Sequence, residues 1–112
     1  MSKSMVKLDV SKILGKVSAD KEFRFSTGEG AFTGVAAASL SDFAAKLTTI
    51  DVKSVLFHYP RGDFQRWIEG SLGDAELADR MRVMPTGLSG ENLRRQMLKM
   101  IETRLGELKR LS

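Results

Sequence analysis

Cysteine is absent from this chain, which excludes a disulfide framework, a thiolate metal site and a thiol nucleophile. Histidine, tryptophan and tyrosine each occur once among 112 residues. A metal centre with a single imidazole would need several convergent carboxylates, and none share the local spacing of that histidine, so we predict neither a metal nor a cofactor. No apolar run approaches the ~20 residues that cross a bilayer, so no membrane partner is expected.

Residues 1–7 also lack the apolar stretch of a secretory signal peptide. Together with the missing cysteines, this favours the reducing cytoplasm as the location. The chain is 42% hydrophobic and 29% charged, which is ordinary for a globular protein, and its length suits one domain over residues 1–112. Within that domain we distinguish a basic N-terminal segment (1–20), a central core (22–82) and a long basic amphipathic helix (89–111).

The net charge of +4 is distributed unevenly along the chain. Residues 1–24 and residues 83–112 each carry a net charge of +3, residues 25–52 carry −2, and residues 53–82 are neutral. Two basic ends around a neutral or acidic middle indicate a polyanionic partner. The alternative is that these lysines and arginines only solvate helix faces.

A β-hairpin is predicted in the first third of the chain. Residues 22–26 form one strand, the glycine-containing segment 27–30 turns the chain, and residues 31–36 form a second strand. Its glycines resemble a phosphate-binding loop only superficially, because Thr33 stands where a dinucleotide fingerprint needs glycine and no Gly-Lys-Ser/Thr follows. We interpret them as turn residues with positive φ.

Apolar residues recur at helical spacing within 7–17, from 40 to 50, from 63 to 72, from 74 to 82 and from 89 to 111. The side chains expected to cap these helices are Asp9 or Ser11, Ser39 or Ser41, Asp63, Asp74 and Ser89. Residues 51–59 fit a buried strand as well as a helix, and we favour a helix closed by Pro60 and Gly62. The predicted fold is α+β, a two-stranded antiparallel hairpin packed on four or five helices, with a long C-terminal helix.

The last helix is long for so small a domain, roughly 33 Å at ~1.5 Å per residue. Its apolar residues mix spacings of three and four, near the repeat of a coiled coil. The helix therefore either wraps the core or pairs with another subunit. We predict a homodimer whose interface contains Met97, Ile101, Leu105 and Leu108.

The block around residues 57–68 is the most informative part of the sequence, because it holds the single tryptophan, tyrosine and histidine. Helical spacing of its aromatic residues is typical of a core. Interleaved with Arg61 and Arg66, however, the same rings could stack the bases of single-stranded nucleic acid. The rings concerned are Phe57, Tyr59, Phe64 and Trp67.

His58 is a candidate for acid–base catalysis. A carboxylate pair is a second candidate, although most of the acids that could supply it are better explained as helix caps, first-turn charges or partners of arginines. These acids are Asp63, Glu69, Asp74, Glu76 and Asp79. A hydrolase would use His58 with a carboxylate, whereas a structural histidine would bond to neighbours at a helix end. We favour the structural role and predict that the protein is not an enzyme.

Several motifs resemble a family of short prokaryotic domains of unknown function that is frequent in archaea. The residues that carry this resemblance are Phe23–Gly28, Phe32–Gly34, Ser39-Leu40, Phe43, Phe57-His58, Arg61-Gly62-Asp63-Phe64-x-x-Trp67-Ile68 and Leu72-Gly73-Asp74 with Glu76-Leu77-Ala78. The resemblance covers about residues 22–82 and implies a cytoplasmic domain without known catalytic residues. The basic first 20 residues and the long basic helix lie largely outside it.

Small size, basic ends and the lack of a catalytic constellation predict a nucleic-acid-binding protein of the nucleoid-associated kind. It would bind duplex DNA without reading sequence, because lysine and arginine contact phosphates. The residues assigned to these contacts are Lys3, Lys7, Lys12, Lys16, Arg94, Arg95, Lys99, Lys109 and Arg110. The alternative is a protein-interaction module that docks a partner through an exposed apolar strip of the C-terminal helix at Leu105 and Leu108.

Overall fold

The computed structural model describes residues 8–85 and 87–112. Within these residues, two strands form one antiparallel sheet. Strands β1 (Phe23–Ser26) and β2 (Phe32–Ala37) pair so that Phe23 lies opposite Ala37, with a register irregularity between Arg24 and Ser26. In the turn, Gly30 has a φ of 70°, a left-handed value that favours glycine. The predicted hairpin and its turn are confirmed.

Helices account for most of the remaining described chain. They are α1 (Val10–Leu14), α2 (Leu40–Leu47), α3 (Val52–Arg61), α4 (Asp63–Trp67), α5 (Ala75–Arg82) and α6 (Gly90–Leu111). A 3₁₀ turn (Ala19–Lys21) precedes β1, and a π-helical turn (Ile68–Leu72) continues α4. The α+β class and the long C-terminal helix are confirmed, and the ambiguous segment 51–59 is helical, as favoured.

Four of the expected caps are confirmed by the same bond, in which a side-chain oxygen accepts the amide proton of the residue three positions later. These caps are Asp9 for α1, Ser39 for α2, Asp74 for α5 and Ser89 for α6. Because the bond spans only three residues, its signal lies entirely in the local sequence.

Two expectations at the junction of α3 and α4 are wrong. Pro60 does not close α3 but lies inside its last turn, although proline has no amide proton to donate to the carbonyl of Leu56 one turn earlier. Gly62 closes α3 in a left-handed conformation and is also the N-cap of α4, so Asp63 is not a cap but the first residue of that helix.

The core is built around a cluster of rings from β1, α2 and α4. Its members are Phe23, Phe25, Phe43, Phe64 and Trp67, with ring centroids between 5.0 and 6.3 Å apart. The indole of Trp67 donates to the carbonyl of Lys21 at 2.7 Å. The core interpretation of Phe64 and Trp67 is confirmed, and their burial leaves neither ring available for stacking on bases.

Helix α6 crosses this core and buries the apolar stripe that we assigned to a dimer. Met97, Ile101 and Leu108 have no exposed surface in the protomer. Leu105 is half-buried and packs against the same core. The predicted interface is therefore wrong for the three buried residues, because a partner could reach them only if the core opened.

Candidate functional site

The outer face of α6 carries four cationic side chains. Arg95, Lys99, Lys109 and Arg110 are all exposed, because the residues that α6 turns inward are Leu93, Met97, Ile101, Arg104 and Leu108. Helical periodicity of 3.6 residues places the four cations on the opposite side, over a length of about 22 Å at ~1.5 Å per residue. We call this surface the outer cationic face.

Ion pairing separates these four side chains from most of the other cations. None of the four lies in an ion pair with another described residue. Within the same residues, the one polar partner of these side chains is Asn92, whose side-chain oxygen accepts from Arg95 at 2.6 Å. Glu102 is the acidic residue on the same side, and it too lies outside the ion pairs of the described chain. The cations that do form ion pairs are Lys46, Arg61, Arg66, Arg80, Arg82, Arg94 and Arg104.

Arg94, which we predicted to contact phosphates, does not belong to the outer cationic face, because its guanidinium is already bound inside the protein. Its side chain is 12% exposed and pairs with Glu91. One guanidinium nitrogen, Nη1, donates to the carbonyls of Leu47 at 2.8 Å and Ile50 at 2.7 Å. Arg94 thus satisfies the orphan carbonyls at the end of α2 and fixes α6 against that helix.

The inner side of α6 holds a network of alternating charges. Arg104 binds the buried carboxylate of Asp74 through two hydrogen bonds of 2.9 and 3.0 Å. Glu107 accepts hydrogen bonds from Arg104 and, at 2.8 and 3.0 Å, from Arg80 of α5. These bonds from Arg80 and Arg104 lower the pKa of Glu107 to about 2. The two arginines are neutralised by these acids and are not available to a polyanion.

The N-terminal lysines divide into two groups. Lys3 and Lys7 lie outside the described residues. Lys12 and Lys16 are exposed, and the Lys12 ammonium lies 3.3 Å from where a Cβ on Gly73 would stand. Because Asp74 follows Gly73 and binds Arg104, Lys12 lies beside the C-terminal half of α6.

A shallow cleft of about 270 Å³ adjoins the outer cationic face at Lys99. Gln96 and Thr103 of α6 border it, together with Arg80 of α5. The amide and the hydroxyl add uncharged hydrogen-bond donors next to the Lys99 ammonium. Sequence reasoning missed both residues because it counted only cations, although positions 96, 99 and 103 follow the spacing of one helix side.

The apolar strip needed by the protein-docking alternative is not present at the predicted residues. Leu108 is fully buried, and Leu105 is half-buried against the core. The side of α6 that faces away from the core carries the cations instead. Leu108 is therefore closed to a docking partner in this fold, whereas docking through Leu105 stays a prediction.

His58 is buried and has both ring nitrogens occupied. Its Nε2 accepts the backbone amide proton of Ser26 at 2.9 Å, so Nδ1 carries the ring proton and donates to Asp63 at 2.8 Å. Asp63 also accepts from Arg61 and Arg66. Burial alone would raise the pKa of Asp63, but the hydrogen bonds from His58 and Arg61 outweigh it and lower that pKa. His58 thus joins β1 to the α3–α4 junction, and a substrate cannot reach its nitrogens.

Over residues 8–85 and 87–112, no three His, Asp or Glu side chains come together in a way that could hold a metal ion. Within the same residues, no helix is both long and apolar enough to cross a membrane.

Comparison of the chain with protein-family models, curated proteins and solved structures finds no match. The resemblance to a prokaryotic domain family therefore stays a prediction.

Proposed function

We propose that this protein binds double-stranded nucleic acid through the outer cationic face of α6, by contacts to phosphates and without reading sequence. The observation that carries the proposal is the exposure of Arg95, Lys99, Lys109 and Arg110 outside any ion pair of the described residues. Cations already neutralised inside the protein gain little from a phosphate, because binding would first break an existing pair. Unpaired cations carry no such cost.

The length of the outer cationic face suits a polyanion. Duplex DNA presents one negative charge per ~1.7 Å of axis with both strands counted, so about 22 Å of duplex carries about 13 phosphates, more than the four cations need. Four cations that neutralise four of them release the condensed counterions. The expected dependence of log affinity on log salt then has a slope of about −3.6.

The neighbouring polar groups extend this surface. Gln96 and Thr103 would donate hydrogen bonds to phosphate oxygens next to Lys99, which positions a backbone without distinguishing bases. Lys12 and Lys16 would add longer-range attraction, since both are exposed at the neighbouring α1 region. A single protomer suffices for this interface, so the role needs no dimer.

The test is a titration of the protein with short duplex DNA of random sequence at about 50 and about 200 mM salt. A slope near −3.6 predicts a loss of affinity of about 100-fold between the two conditions. Several unrelated sequences should bind with equal affinity. Absence of binding at low salt would reject the proposal, and binding that is insensitive to salt would reject the phosphate mechanism.

A further inference from the structure

Helix α6 contains two glycines, and the packing of the protein accounts for one of them. A Cβ on Gly90 would lie 2.5 Å from Val52 Cγ2, so the contact of α6 with α3 requires a residue without a side chain. At Gly106, apart from its chain neighbours and the helix main chain, the one described atom within 4 Å of where a Cβ would stand is Arg110 Nη1 at 3.6 Å. A methyl group would fit there, and glycine destabilises the interior of a helix relative to alanine. The described part of the chain therefore gives no packing reason for glycine at this position.

Gly106 lies near the middle of the outer cationic face. At about 100° per residue, the four cations of this face spread over about 100° of the helix circumference, and Gly106 falls near the centre of that arc. Along the helix axis it lies ~10 Å beyond Lys99 and ~5 Å before Lys109. The one position of this face without a side chain thus separates its two pairs of cations.

The missing side chain leaves a notch in the outer cationic face. Four exposed side chains surround the notch at helical spacings of three and four residues, namely Glu102, Thr103, Lys109 and Arg110. The Cα atoms of an α-helix lie ~2.3 Å from its axis and its side chains reach ~5–6 Å, so a partner can approach the main chain about 3 Å more closely at Gly106. Close approach of a backbone to a ligand is one of the situations that favour glycine.

The two sides of the notch differ in charge. Helical spacing places Thr103 and Arg110 on one side of Gly106, and Glu102 and Lys109 on the other. On the first side an anion meets a hydroxyl and a guanidinium, both of which donate hydrogen bonds. On the second side the Glu102 carboxylate offsets the Lys109 ammonium. An anion in the notch is therefore held on the side of Thr103 and Arg110.

We propose that a sugar–phosphate backbone of the bound nucleic acid crosses α6 at Gly106, in direct contact with the helix main chain. A phosphate accepts from the Arg110 guanidinium and the Thr103 hydroxyl, and the Cα hydrogens of Gly106 lie against its oxygens or the adjoining sugar. Gly106 is a positioning residue, because its lack of a side chain lets the backbone reach these donors. This inference rests on the proposed function and adds that the shape of the face, as well as its charge, orients the nucleic acid.

The test is to enlarge residue 106 and to measure binding of random-sequence duplex DNA. Gly106→Ala should weaken binding about threefold because the close contact is lost, and the bulkier Gly106→Leu should weaken it about tenfold. Neither change removes a charge, so the ratio of affinities at about 50 and about 200 mM salt should equal that of the natural protein. The thermal midpoint of Gly106→Ala should rise, because alanine favours the helix. A loss of affinity together with a gain in stability distinguishes a contact with DNA from a structural role.

Gly70→Ala and Gly70→Leu are the matched controls. Gly70 is exposed in the π-helical turn, and no described atom lies within 4 Å of where its Cβ would stand. Both controls should bind DNA as the natural protein does.

Four results would overturn the role of Gly106 and leave the proposed function standing. They are unchanged affinity in both Gly106 variants, an equal loss in the Gly70 variants, a smaller salt dependence in Gly106→Ala, and a lower thermal midpoint in Gly106→Ala. If the natural protein binds no duplex DNA at about 50 mM salt, the proposed function and this inference are both overturned.

Discussion

Asp74 and Arg104 form a two-pronged ion pair between α5 and α6, with 0% and 6% of their side chains exposed. The same carboxylate caps α5 by accepting the amide proton of Leu77. One acidic side chain therefore fixes the start of one helix and the position of another. Together with the bonds from Arg80 to Glu107, the pair fixes α5 against α6.

Breaking this pair on one side should destabilise the protein strongly. Arg104→Met leaves the Asp74 carboxylate buried without its cation, and we expect a loss of about 3 kcal/mol in the free energy of unfolding. Asp74→Asn keeps the cap, and the double variant should be more stable than the sum of the two single losses predicts. Urea unfolding of the four proteins measures the coupling. Additivity within about 0.5 kcal/mol would contradict the paired geometry.

His58 should be a structural residue. His58→Phe preserves a ring but removes the acceptor for the Ser26 amide and the donor for Asp63, with an expected cost of about 2 kcal/mol. Hydrogen exchange of the Ser26 amide should accelerate in this variant. Lys53→Ala, on an exposed position of the same helix, should change the free energy of unfolding by less than about 0.5 kcal/mol. Unchanged protection of the Ser26 amide would show that the contact is not made.

Acid should weaken the charge network of α6. The pKa of Glu107 is lowered to about 2 in the folded protein, so its contribution to stability is complete above its unfolded pKa of about 4.3 and is lost as the pH falls toward 2. Glu107→Gln should therefore be less stable than the natural protein at pH 7, and the gap should narrow toward pH 2. Glu102→Gln, an exposed and unpaired position of the same helix, serves as control. A gap that stays constant with pH would contradict the role of Glu107.

Replacing two glycines of α6 by alanine should change the stability of the protein in opposite directions. A Cβ at Gly90 would lie 2.5 Å from Val52 Cγ2, so Gly90→Ala should cost about 1–3 kcal/mol unless Val52→Ala accompanies it. At Gly106 the nearest neighbour is Arg110 Nη1 at 3.6 Å, so Gly106→Ala should gain about 0.5–1 kcal/mol from helix propensity. Thermal unfolding of the two variants and of the natural protein measures both changes in stability. Stabilisation by both substitutions would contradict the close approach of α6 to α3.

The features that the sequence predicted correctly are those determined by residues close together in the chain. The hairpin, the caps at Ser39, Asp74 and Ser89, and the extent of α6 depend on signals within a few residues. Asp63 was misassigned because Gly62, already in a left-handed conformation, serves both neighbouring helices.

What the sequence could not predict depends on distant partners. The apolar stripe of α6 has the same period whether it meets its own core or another subunit, and only the fold shows that Met97 is buried internally. Arg94 and Arg104 look like other cations in the sequence, yet Arg94 also binds the carbonyl of Leu47 and Arg104 the carboxylate of Asp74, and both of these partners are distant in the sequence.

The most direct test of the central proposal compares two charge-matched double variants in binding to duplex DNA. Lys99→Gln/Lys109→Gln removes two charges from the outer cationic face, and Lys21→Gln/Lys53→Gln removes two exposed charges elsewhere. The first variant should reduce the slope of log affinity against log salt by about 2, while the second leaves it nearly unchanged. If both variants weaken binding equally, net charge rather than this face of α6 attracts the nucleic acid, and the proposed interface is contradicted.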